Sequence, residues 1–317
     1  MNQSAQSDDK VWLGDKRWTV TGYEIADTTK IRPVPAAITG SVLAGIFIVQ
    51  HRIQAETIWK DESEFTFVED GNYALYADKA GHFFGTYFSS YILSESLLAS
   101  GFSYDASMVL GGALGVGYTL YVEILDGFGA NFGFSKSDMI SNAAGGGFYI
   151  LQHYVPFLQN FQPKFSYFPS EWHGDRRRQP HDAFIDDYSS HVMWLSADVH
   201  SMLPESAQAY WPEWLGLSFG YASRNLCDGG NPAYDCESYS TFSQFSDQYG
   251  SPIFGERRLI LALDYDLQRI IPESRYDWVN WLVQSANFIK LPAPSIEYSI
   301  EEDRFRYYLA FPFVIGG

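Results

Sequence analysis

Residues 78–83 (DKAGHF), 121–128 (YVEILDGF) and 137–147 (SDMISNAAGGG) decide the reading of the fold. Each sets a pair of polar residues inside an apolar, Gly-rich segment: Asp78 with His82, Glu123 with Asp126, and Asp138 with Asn142. Spacings of three or four bring both members of a pair onto one helix face. Three helices can therefore turn the pairs toward a common interior.

Working outward, the segment from about Tyr76 is helix-compatible, with Asp78, His82, Gly85, Ser89 and Ser96 on one face and Phe83, Phe84, Tyr87, Phe88 and Tyr91 spread over the apolar surface. Residues 106–122 carry no charge, and Gly112, Gly115 and Thr119 lead along one face to Glu123. Such a small-residue stripe admits a neighbouring backbone, in a membrane or in a tight soluble bundle. The run GGALGVG (111–117) sits inside this apolar helix with no strand before it, so it reads as helix packing and not as a phosphate loop. Asp138, Asn142, Gly145, Tyr149 and Gln152 form the polar or small face of a third helix, which Ser137 or Asp138 can cap. Upstream, PVPAAITGSVLAGIFIVQ (33–50) lacks formal charge, with prolines near its start. Its helical rise of about 27 Å is close to a bilayer's hydrocarbon thickness. A membrane span and a buried or re-entrant helix both fit it.

Composition changes after Pro163, and a domain boundary is expected near Pro169. The segments HVMWLSADVH (191–200), WLGLSFGYAS (214–223), RRLILALDYDLQRII (257–271), PSIEYSI (294–300) and RFRYYLAFPFVI (304–315) read as strands. Alternation is clearest for Leu259, Leu261, Leu263, Tyr265 and Leu267, and for Phe305, Tyr307, Leu309, Phe311 and Phe313. The short EEDR link predicts a final hairpin. The expected fold is α+β. A polar N-terminal segment (1–30) with Trp12, Trp18, Val20 and Tyr23 as anchors leads into a Gly-rich helical bundle (31–168), tightly packed or membrane-associated. An antiparallel sheet or small partial barrel (169–317) follows, with a long surface loop at 223–256. A complete lipid-facing barrel needs at least about eight strands and is the less economical reading.

The formal charge of −17 opposes a broad basic surface and excludes nucleic acid as a default partner. DRRR (175–178) is a local exception that reads as a solvated linker. An aromatic content of 17% favours strands, membrane girdles or both. Cys227 and Cys236 bracket a polar loop and can form a local disulfide in an oxidising compartment. His173, His181, His191 and His200 make no zinc pattern and read as surface residues, while Asp228, Asn231, Asp235 and Glu237 do not match an EF-hand. The opening MNQSAQSDDK is not a recognisable signal peptide; it fits a cytoplasmic protein or a mature chain numbered after processing.

Each polar pair has a structural and a chemical reading. Asp78 and His82 can be a helix cap with a hydrogen-bonded histidine, or a carboxylate-oriented imidazole that moves a proton or binds a metal. Glu123 and Asp126 can cap or pack; if they meet Asp78 and His82, oxygen and nitrogen ligands become available to a divalent cation. Asp138 and Asn142 read as a polar helix network.

With these residues the chain resembles the YfiM-like family of predicted envelope lipoproteins and, more distantly, the VanZ-like membrane family. The pattern is Asp78, Lys79 and His82 in DKAGHF, Glu123 in EILDG, and Asp138, Asn142 and Gly145 in SDMISNAAGG, over roughly residues 70–155. VanZ-like sequences usually carry glutamine where Asp126 stands, and no lipid-bearing cysteine is visible near this N-terminus. The resemblance implies a bacterial cell-envelope location with a periplasmic portion, the outer membrane being favoured, and lipid and envelope proteins as partners. It transfers no catalytic assignment. The expected function is a noncatalytic envelope structural or interaction protein; the alternative is a metal-assisted hydrolase acting on a phosphate-containing lipid.

Overall fold

The computed structural model describes residues 17–130, 132–173, 184, 187–228, 236, 245–246 and 250–313. In chain order these form α1 (Pro33–Glu56), β1 (Phe67–Val68), α2 (Ala77–Ser100), α3 (Tyr104–Asp126), β2 (Phe134–Ser135), α4 (Lys136–Tyr154), β3 (Phe161–Tyr167), β4 (His191–Ala197), the single turns α5 (Val199–Met202) and α6 (Glu205–Gln208), β5 (Leu215–Asp228), β6 (Phe245–Ser246), β7 (Pro252–Tyr265), the turn α7 (Leu267–Ile270), α8 (Asp277–Ala286), β8 (Ser295–Ser299) and β9 (Arg304–Tyr308). The fold is α+β, with helices first and a large, non-closed antiparallel sheet after them.

Helices α2 and α3 run antiparallel, and small residues set how closely they approach. A Cβ on Gly111 would overlap the Ser94 hydroxyl, and one on Gly115 would overlap that of Ser90. One turn further, Thr86 Oγ1 lies 3.3 Å from Thr119 Oγ1; one turn beyond that, His82 meets Glu123. Positions four apart on each helix thus pair in reverse order, so the glycines of α3 fix the level at which its glutamate reaches α2. Gly112 faces α4 instead, at Gly146 and Ile150. Tyr87, Tyr91, Tyr104, Met108, Tyr149 and Phe288 fill the helical core, with α8 contributing through Ser285, which meets the Tyr91 hydroxyl at 2.8 Å.

Strand order in the sheet is β3-β4-β5-β7-β8-β9, with β6 paired to β7. Lys164 on β3 reaches Asp264 on β7 at 2.7 Å although β4 and β5 lie between them, so the sheet is strongly curled. Its edge strands approach through their continuations, where Phe168 meets Phe311 and Trp172 meets Phe313. Beside β3, the Phe165 amide donates to the Phe288 carbonyl and the Lys290 amide to that of Phe165.

Several sequence expectations change here. The sheet begins at Phe161, ahead of the boundary expected near Pro169, and Pro163 lies within edge strand β3, where a missing amide is tolerated. Both ends of the expected loop 223–256 are strand, since β5 continues to Asp228 and β7 starts at Pro252. Leu267 opens a helical turn instead of extending β7. The cap of α4 is Ser135, whose hydroxyl accepts from the Asp138 amide at 3.1 Å. Trp12, Asn231, Asp235, Glu237, His181 and residues 175–178 lie outside the described residues, as do the side chains of His173 and Asp228.

Candidate functional site: a carboxylate, histidine and lysine centre

The start of α2 is set by an unusual backbone. Ala74, Leu75 and Tyr76 all have positive φ (49°, 53° and 72°), a conformation disfavoured for residues with a Cβ. The sheet holds this turn: Ser223 Oγ donates to the Ala74 carbonyl at 2.6 Å, and the Tyr221 hydroxyl donates to that of Leu75. Strained backbone of this kind persists where surrounding structure over-determines it. Here it delivers Asp78 and Lys79 into the interface of α2, α3 and α4.

Lys79 bends back to place its ammonium among three carboxylates, 2.9 Å from Asp70 Oδ1 and in contact with Asp78 and Asp138. Asp70 also accepts from Ser135 Oγ and, at 2.9 Å, from Ser137 Oγ. Tyr188, from the sheet side, donates to Asp78. The His82 ring lies 3.5 Å from each of Asp78 Oδ1, Asp138 Oδ2 and Glu123 Oε1. Its Nδ1 also stands 3.2 Å from Asn142 Oδ1, which accepts from Thr86 Oγ1 at 2.9 Å. Glu123 is 1% exposed; its Oε2 accepts from the Ser135 amide, while Oε1 faces His82 and has no hydrogen-bond partner among the described residues.

Burial alone would lower the His82 pKa, but Asp78, Asp138 and Glu123 overcome it and push it up to about 10. Burial works against the Asp78 carboxylate too, yet His82 and Lys79 hold it well below its usual range. For Asp138, burial and the Asp78 charge outweigh those same cations and raise it to about 7. The centre at neutral pH is therefore an imidazolium and an ammonium beside an ionised Asp78 and a half-protonated Asp138. Asp78, His82 and Asp138 each offer a ligand atom within 4.8 Å of the others, a grouping that could chelate a divalent metal. A cation there would have to displace the imidazolium proton and the Lys79 ammonium.

Five of the six expected polar residues, Asp78, His82, Glu123, Asp138 and Asn142, stand together. Asp126 lies near enough for its charge to act on Glu123, accepts from Trp59 Nε1 at 2.6 Å and, like Glu123, is not in the three-residue ligand grouping. Asp70, Thr86, Ser135, Ser137 and Tyr188 belong to the network but escaped the spacing argument, and Lys79 entered only through the family pattern. Cys227 and Cys236 are joined by a disulfide. Contrary to expectation, His191 is buried, its Nε2 at 2.9 Å from the Phe184 carbonyl; His200 Nδ1 meets the Trp211 carbonyl at 2.7 Å.

Residues 63–154 match the model of a family described as "Predicted periplasmic lipoprotein (DUF2279)". The chain is distantly related to that family over this span, which contains α2 to α4 and all of the centre except Tyr188. The match does not single out the narrower YfiM-like or VanZ-like groups. No curated protein and no solved structure matches the chain.

Proposed function

We propose that the chain is a membrane-associated structural or interaction protein of the bacterial cell envelope, with a periplasmic portion and no turnover of its own. The observation carrying this reading is α1: over 24 residues only Gln54 is buried, and Val34, Ile38, Val42, Ile46, Val49 and Ile53 are all more than half exposed. A solvent-facing helix of this composition would leave a large apolar area in water, at about 25 cal/mol per Å². It is long enough to cross a bilayer, as is the partly buried α3. The distant family relationship supports an envelope location. The polar centre fits a structural role, because Lys79 and His82 both pair with Asp78 and Asp138.

In this reading α1 anchors, α2 to α4 pack, and the strand-rich extension meets another envelope protein; the outer membrane is the proposed location. Fractionation of whole cells tests it. The chain should sediment with membranes, resist carbonate extraction and band with outer-membrane markers. Quantitative recovery as a detergent-free monomer without lipid binding rejects the anchoring role, and cross-linking of intact envelopes that yields no protein neighbour rejects the partner role.

One observation favours a second reading, metal-assisted hydrolysis of a phosphate-containing lipid: Asp78, His82 and Asp138 each offer a ligand atom within 4.8 Å of the others, and Glu123 Oε1 lies 3.5 Å from His82 Nδ1. Metal content is then compared between wild type and His82→Ala, together with melting with and without chelator. Equal metal content and equal chelator response remove this reading.

A further inference from the structure

The concave side of the sheet buries paired charges together with an apolar cluster of Val192, Trp194, Ala222, Ile260 and Ala262, while the convex side exposes an apolar row. On its concave side lie Lys164, Arg224, Glu256, Arg258, Asp264 and Glu297, all buried, with Arg258 Nη1 at 3.0 Å from Glu297 Oε1 and Nη2 at 2.8 Å from Glu256 Oε2. Leu195, Phe219, Leu261, Ile296 and Tyr307 form one register row on the convex side, across five consecutive strands of the sheet order. Every member is exposed, between 43% and 75%. A soluble sheet puts the charges outside and the row inside, because burying paired charge costs desolvation while exposing leucine and phenylalanine forgoes hydrophobic burial. Buried charge inside and an exposed apolar row outside are what a strand wall with lipid on its outer face shows.

We infer that the convex face of the sheet lies among lipid acyl chains, a second membrane contact distinct from α1. Between Arg257 and Asp266, the convex positions of β7 are Leu259, Leu261, Leu263 and Tyr265, and the paired convex positions of β5 are Leu215, Leu217, Phe219 and Tyr221. The stretch of β5 from Leu215 to Phe219 rises about 13 Å, enough to enter the acyl region without spanning it. Arg257, held by Glu301 at 2.7 Å, bounds one end, and Trp214 beside Tyr265 supplies aromatic rings at the other. At the Arg257 end, α2 and the left-handed turn cover Tyr221 and Met193, so the uncovered row is the part assigned to lipid. Protein partners are left the loops and ends of the sheet.

The test uses the full chain with its native disulfide, reconstituted in phosphatidylcholine vesicles. Single cysteines at Phe219→Cys, Leu261→Cys and Ile296→Cys carry an environment-sensitive fluorophore; Tyr210→Cys, on a highly exposed residue, is the aqueous reference, and Val42→Cys reports on α1. These positions are exposed, so the substitutions remove little packing. Quenching by nitroxides placed mid-way along the acyl chains, with iodide quenching about tenfold weaker than at residue 210, is the expected result at all three sheet positions. Iodide quenching equal to that at residue 210 overturns the inference, as does protection from both quenchers, which would mean a protein cover such as a second copy. Nitroxide quenching at residue 42 alone overturns it while leaving the α1 reading standing; failure to associate with vesicles overturns both.

Discussion

Asn142 Oδ1 lies 3.2 Å from His82 Nδ1 and accepts the Thr86 hydroxyl at 2.9 Å, so one buried amide oxygen on α4 joins two successive turns of α2. Removing it leaves the Thr86 hydroxyl with only the 3.3 Å Thr119 contact and His82 Nδ1 with only Glu123 at 3.5 Å. Asn142→Ala is expected to cost about 1–3 kcal/mol, the range for weakening the hydrogen bonding of a buried group. Denaturant unfolding in detergent checks this; a change under about 0.5 kcal/mol, the range of ordinary surface substitutions, contradicts it.

Lys79 is expected to behave as a charge clamp. Lys79→Met leaves Asp78 and Asp138 facing each other with only His82 between them, and breaking a buried pair on one side costs about 3–5 kcal/mol. Adding Asp138→Asn should restore part of the loss. A double-mutant cycle with no coupling between the two positions would show that they act independently.

The pH dependence follows from His82. Its folded pKa, about 10, lies above its ordinary 6.5, so its contribution to stability is fully present below about pH 6.5 and is lost as pH rises through about 10. Melting midpoints taken from pH 6 to 10.5 should fall more steeply for wild type than for His82→Gln. Parallel curves would remove His82 as the source.

Helix spacing supplies a steric prediction. Gly111→Val pushes a branched side chain into Ser94 and should destabilise by about 1–3 kcal/mol. Gly117, with open space around its Cβ position, should accept alanine with no loss and gain up to about 1 kcal/mol of helix propensity. Equal thermal midpoints for the two variants would mean that α2 and α3 do not pack through this stripe.

The contrast between Asp78 and Lys79 marks what the sequence made legible. Periodicity put Asp78, His82, Asp138 and Asn142 on helix faces, and those faces converge; neighbours in sequence do not share a face, so Lys79 was invisible until its long arm folded back. Asp70 and Tyr188 enter from outside the helices, through contacts that no local pattern encodes. Asp126 has the right spacing, and one of its two oxygens accepts from Trp59, a contact no spacing predicts. In the sheet, Arg224 and Glu256 read as loop polarity because charges were expected outside, whereas both are buried. Nothing in the local pattern marked Pro163 as part of the sheet, because edge position is a tertiary property.

Membrane association is the central claim, and flotation of the purified chain with lipid vesicles in a density gradient tests it most directly. The account predicts that the chain rises with the vesicles and stays with them in high salt, as expected for an exposed apolar α1 in a protein of net charge −17. A detergent-free monomer that remains at the bottom of the gradient contradicts it.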